Sequence, residues 1–154
     1  MYTYKKEKEN MKYSFEQKTS ASITDVWSLY ENVNKWFTWE NDLEKISLEG
    51  LFETNTKGSM TLTNMPPMSF ELVKVIPEEV FIDKTTIPNM GDINFIHELI
   101  ETHHKETVIR HSVEFVPLNR EPKANDLKFI SKIFENVPAS VFSLIEVATN
   151  DSKI

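Results

Sequence analysis

Two histidines are the residues of this chain whose type and setting most plainly permit chemistry. His97 lies in Phe95-Ile96-His97-Glu98-Leu99, and His111 lies in Thr107-Val108-Ile109-Arg110-His111-Ser112-Val113. Both runs alternate with the period of a β-strand. Thr102-His103-His104-Lys105 between them reads as a hairpin turn, and a turn at 102–104 sets His97 opposite Ile109 and Phe95 opposite His111. Phe95, His97, Leu99, Ile109, His111, Val113 and Phe115 then share one largely apolar face, while Glu98, Arg110 and Glu114 occupy the other. An inward imidazole can hydrogen-bond a ligand hydroxyl or carbonyl, or serve as a general acid or base near neutral pH. The plainer role comes first: a core histidine satisfied by its neighbours. A metal site would need a third ligand, and no spacing names one, so neither metal nor cofactor is expected.

Other chemistry-bearing residues are sparse. Trp27, Trp36 and Trp39 could stack on an aromatic ligand, yet large rings in short helices ordinarily supply core area, and Trp39 is the one expected at an entrance. Met60, Leu62, Phe70 and Leu72 alternate inward on middle strands, and Met65 and Met68 flank Pro66-Pro67 as a soft rim. Glu71, Asp83, Glu98 and Glu114 are all assigned to solvent-facing positions. No serine sits in a nucleophile elbow and no glycine-rich loop can be built from three glycines.

What positions these residues is a strand-rich chain closed by one long helical stretch. Leu127, Ile130, Phe134, Val137, Val141, Leu144 and Ala148 recur at intervals of three and four, the apolar stripe of a helix over 124–149. Its length of roughly 40 Å demands a surface wrapped around it, with Phe134 and Val141 pointing toward the space enclosed. Pro138 predicts a kink near 134–138, or a break into two helices. Upstream, a first strand is expected at 13–18. Ser22 and Asp25 then form a capping box before a short helix carrying Ile23, Val26, Trp27 and Tyr30 on one face, and a second helical turn follows around Trp36 to Trp39. Six further strands are expected at 43–49, 58–64, 68–76, 79–86, 93–100 and 106–116. Their links are too short for parallel crossovers, which makes the sheet antiparallel.

Composition bounds the function. The chain has 154 residues, 40% hydrophobic and 27% charged, as expected of one domain with a real core. Its formal net charge of −7 argues against nucleic-acid or anionic-membrane surfaces. With no cysteine there is neither a disulfide framework nor a thiol nucleophile. No apolar run approaches the roughly 20 residues of a membrane span, and Met1 to Asn10 has no signal-peptide core, so the expected location is the cytoplasm. Residues 1–11 read as a flexible lead-in and 12–150 as a single domain. Monomer and dimer both stay open.

The order strand, two short helices, six antiparallel strands and long C-terminal helix is the helix-grip arrangement. Within it, Ala21-Ser22-Ile23-Thr24-Asp25-Val26-Trp27, followed by Trp36 and Trp39, resembles the opening of the polyketide cyclase/dehydrase branch of the START-like (SRPBCC) superfamily. The paired runs around His97 and His111, and Val137-Pro138-Ala139, resemble later segments of those domains. The resemblance implies an α+β fold: a curved seven-stranded sheet gripping the last helix around a cavity for a small apolar molecule. It does not choose a function, since such folds host carriers, cyclases, dehydratases and activators of a chaperone ATPase. Three expectations follow, in this order. The first is a carrier or sensor of a small apolar or aromatic molecule, contacted by Trp39, Met60, Leu62, Phe70, Phe95, His97, Ile109, His111, Phe134 and Val141. The second is a cyclase/dehydratase-type enzyme with His97 and His111 as acid and base. The third is a protein-interaction module.

Overall fold

A chain that alternates by twos and then by threes and fours must bury one face of a sheet against a helical stripe. The computed structural model, which describes residues 11–151, has this arrangement. Strand β1 (Met11–Thr19) leads into helix α1 (Ile23–Glu31) and a 3-10 helix (Val33–Thr38). Strands β2 (Leu43–Leu48), β3 (Lys57–Leu62), β4 (Met68–Ile76), β5 (Val80–Ile87), β6 (Gly91–Glu101) and β7 (Thr107–Pro117) follow, then helices α2 (Ala124–Phe134) and α3 (Val137–Asp151). Apart from Met11, which opens β1, the expected lead-in lies outside the described residues. Ser22 caps α1 as its sequence suggests, its hydroxyl accepting from the Asp25 N–H at 3.0 Å.

All seven strands form one antiparallel sheet in the order β1-β7-β6-β5-β4-β3-β2. Strands β2 to β7 are successive antiparallel neighbours, and β1 pairs with β7 at the opposite edge from β2. The β6–β7 register differs from the sequence expectation by two residues: His97 faces His111 and Phe95 faces Val113. The cause lies in the turn. Lys105 adopts a left-handed conformation (φ 61°), the Thr102 hydroxyl accepts from the N–H groups of His104 and Glu106, and the Thr102 N–H donates to the Glu106 carbonyl, so the turn is centred on His104, one residue later than a turn at 102–104. A shift of two preserves strand parity, and both histidines still point inward.

The C-terminal helical stretch breaks at Glu135-Asn136. Pro138 falls in the first turn of α3, where its missing N–H costs no intrahelical bond. Ile130, Val141, Leu144 and Ala148 of the stripe are buried, Phe134 and Val137 are partly so, and Leu127 is 44% exposed. Near its start α2 instead turns Asp126 inward, where the carboxylate takes both Arg120 guanidinium nitrogens at 2.9 Å and the Lys123 N–H at 2.9 Å. That bidentate pair holds the Asp126 carboxyl down at about 2 and fixes the link from β7 into α2. Helix α3 lies over β1, β7 and α1. Among the described residues no helix is long and apolar enough to cross a membrane.

Gly58 marks a tight point of the sheet. A Cβ there would stand 2.5 Å from the Phe70 ring and 2.6 Å from the Ser47 carbonyl oxygen, and the carbonyl, being backbone, cannot give way. Gly58→Ala is expected to destabilise the fold by about 1–3 kcal/mol. Chemical denaturation measures it, and an unchanged midpoint would contradict this packing.

Candidate functional site

The inward side chains of neighbouring strands line up in rows. Across β5, β6, β7 and β1, one row reads Phe81, His97, His111, Phe15 and the next Asp83, Phe95, Val113, Tyr13. A third row begins with Thr85 and continues through Ile93 and Phe115. Most of these residues are apolar. Four are not, and Asp83, Thr85, His97 and His111 are all buried. They form a polar seam between two apolar clusters, one containing Tyr30, Trp39 and Phe81 and the other containing Phe115 and Ile130.

Asp83 corrects the sequence expectation, which sent it to solvent with Glu71, Glu98 and Glu114. Those three are partly exposed, and Glu98 joins Arg110 and Glu16 in an outer-face charge ladder, whereas Asp83 is only 2% exposed. In Val80-Phe81-Ile82-Asp83-Lys84-Thr85 both parities hold apolar residues, so charge type alone favoured the wrong face. The bulk of Phe81 decides the parity and carries Asp83 and Thr85 inward with it.

Aromatic rings pack the seam closely. His97 stacks on Phe81 at 3.9 Å between ring centroids and lies edge-on to His111 at 4.6 Å. The Tyr30 hydroxyl and His111 Nε2 share a 2.7 Å hydrogen bond, and His97 Nδ1 lies 3.3 Å from the Phe81 carbonyl oxygen. Trp39 stands beside both histidines, at 6.4 and 6.0 Å. It is 1% exposed, its indole N–H donates to the Leu29 carbonyl, and it therefore lies inside the core rather than at an entrance.

Burial governs the protons here. It lowers His97 to about 3 and holds His111 well below the ordinary imidazole value, with His97 adding to the effect, so both rings are neutral at physiological pH. It raises Asp83 to about 8, with Glu40 reinforcing the shift, and Tyr30 also stays firmly protonated. Glu40, just past the 3-10 helix, is half-buried as a residue, but its carboxylate lies inside. Burial and then the neighbouring Asp42 push it up to about 7, against a hydrogen bond with Ser140 of α3. His97 Nδ1 is 3.9 Å from an Asp83 carboxylate oxygen, a separation without a hydrogen bond, and a neutral ring supplies no counter-charge. Among the described residues the Thr85 hydroxyl is buried with no hydrogen-bond partner.

The candidates read from sequence are spread over the two apolar clusters and the seam between them. Trp39, Met60, Phe70, Ile109 and Val141 belong to the first apolar cluster, with Leu62 packed against it. Phe95 and Phe134 are partly buried against the second, and His97 and His111 lie in the seam. Sequence reasoning missed Asp83, Thr85 and Glu40 as interior groups, and placed Tyr30 inward without foreseeing its bond to His111. Two open depressions of about 520 and 570 Å³ lie elsewhere, beside the end of α1 and β2 and along β2–β3, and neither includes a seam residue. Asn136, at the helix break, donates to the Asp42 carboxylate at 3.1 Å, so the start of α3 and the loop before β2 are tied together. Among the described residues no cluster of three or more His, Asp or Glu is arranged to hold a metal ion.

No family model and no curated protein matches the sequence. Solved structures do match in shape. Ara h 8.0201 superposes with a TM-score of 0.71 at 9% identity, over 92% of this chain and 99% of its own. Norcoclaurine synthase from Thalictrum flavum, in complex with dopamine and hydroxybenzaldehyde, gives 0.68 at 15% identity, over 92% of this chain and 87% of its own. A Staphylococcus aureus protein of unknown function gives 0.71 at 11% identity, over 96% and 99%. The chain has the helix-grip fold seen in these structures, a curved seven-stranded antiparallel sheet closed by C-terminal helices. At such identities the likeness is one of fold.

Proposed function

We propose that the chain binds a small apolar or aromatic molecule between the sheet and the C-terminal helices, with the polar seam supplying the few polar contacts such a ligand needs. The supporting observation is the state of Asp83 and Thr85. A buried carboxyl without a cationic partner and a buried hydroxyl without any partner each cost stability, and a native fold seldom keeps such groups without a use. The surrounding rings of Phe81, Trp39 and Tyr30 offer an apolar, stackable body site. That a structure of similar fold is described with two small aromatic molecules supports the reading by analogy.

The reading is tested by native mass spectrometry of freshly purified protein and by NMR titration with small aromatic compounds. Specific shifts at Thr85, Phe95, His97 and His111 on saturable addition are expected. A protein that carries nothing and shows no saturable shift with any such compound at millimolar concentration overturns the reading. A second reading, acid–base catalysis, is favoured by the proton Asp83 keeps at neutral pH. It moves the acid from the histidines, which burial keeps neutral, to Asp83, and it requires turnover that Asp83→Asn abolishes.

A further inference from the structure

The charge of the ligand can be argued one step further, resting on the binding reading above. Asp83 on β5 and Glu40 before β2 are close enough to perturb each other, and among the described residues neither forms an ion pair with a lysine or arginine. The groups facing them are Tyr30 from α1, Asp42 from the same loop, His97 from β6, His111 from β7 and Ser140 from α3. None of these brings a positive charge, since both imidazoles are neutral. The Thr85 hydroxyl, two residues along the same inward face, has an unused oxygen. The adjoining walls are aromatic, and ring faces attract cations.

We infer that the seam receives the ammonium group of a small aromatic amine, with Asp83, Glu40 and Thr85 as its acceptors and the rings of Phe81, Trp39 and Tyr30 around its apolar body. An ammonium presents three N–H donors, and among the described residues the site offers two carboxyls without a lysine or arginine partner, Asp83 and Glu40, and one hydroxyl oxygen without any partner, Thr85. Docking a cation favours ionised Asp83, so the carboxyl proton leaves to solvent as the amine binds. Affinity therefore rises with pH until the amine itself loses its proton.

Isothermal calorimetry with 2-phenylethylamine, 2-phenylethanol and phenylacetate at about pH 7 tests this, because the three share a body and differ in charge. The ammonium is expected to bind at least about tenfold tighter than the other two. Repeating the titration in buffers of different ionisation enthalpy should show net proton release for the amine alone. Asp83→Asn, checked for folding by its thermal melt, should erase the amine's advantage while keeping any affinity for 2-phenylethanol. If the alcohol or the acid binds as tightly as the amine, or no proton is released, the inference fails while the binding reading stands. If none of the three binds, both fall.

Discussion

Replacing Trp39 by alanine is expected to cost about 3–5 kcal/mol of unfolding free energy, a large part of what a domain of this size possesses. The ring is 1% exposed and lies between Tyr30 and Trp36, at 5.7 and 5.6 Å, with both seam histidines on its far side. Its removal forfeits the transfer free energy of an indole and leaves a void bordered by rigid rings that cannot collapse easily. The Leu29 carbonyl also loses its donor in the interior. Phe37, two residues upstream and 45% exposed, is the internal control, and Phe37→Ala should change stability by no more than about 0.5 kcal/mol. Urea denaturation of both variants makes the comparison. A loss at Trp39 no larger than at Phe37 would mean that this ring does not hold the centre of the fold together.

The contrast between two neighbouring aromatics shows where sequence reading succeeds. Period-two runs bounded by Pro66-Pro67, Pro77, Pro88-Asn89 and Thr102 placed all seven strands within about two residues, because turn chemistry and alternation are local properties. Strand parity was equally legible for β6 and β7, where the charged residues share one face, so both histidines were placed inward even though their partners were misassigned. The register depended on the left-handed conformation of Lys105, a property of no residue type in particular, and it escaped notice. Asp83 was lost differently. On β5 each face carries apolar and polar residues, and only its packing against α1 and the 3-10 helix decides which is core. Glu40 becomes an interior group through its contact with Ser140, a hundred residues away in sequence. Local pattern thus reveals the scaffold and the histidines, while the acidic half of the site emerges only when distant elements meet.

That acidic half should make stability depend on pH in a direction that is unusual for carboxylates. In the folded chain Asp83 and Glu40 hold their protons up to about 8 and about 7, against ordinary values of 3.8 and 4.5. The native state therefore binds more protons than the unfolded chain between those limits, and the stability these groups contribute is full at acid pH and lost as pH rises through 7 and 8. His97 and His111 act in the opposite sense: their lowered values give stability that is present above pH 6.5 and lost as pH falls below it. The two effects roughly offset between about pH 5 and 6.5, and above that only the carboxyls remain. The melting temperature is thus expected to fall from about pH 6.5 to 8.5, with each carboxyl contributing up to about 1.4 kcal/mol per pH unit. Asp83→Asn keeps the shape of the side chain and removes the titration. The variant should lose most of the alkaline slope and be more stable than the parent at about pH 8.5, with an advantage that shrinks steadily as the pH falls toward the ordinary Asp83 value of 3.8. Thermal melts across this range decide the matter. A parent protein equally stable at both ends would mean that Asp83 has a counter-charge or water in solution, and the argument for a cationic ligand would lose its foundation with it.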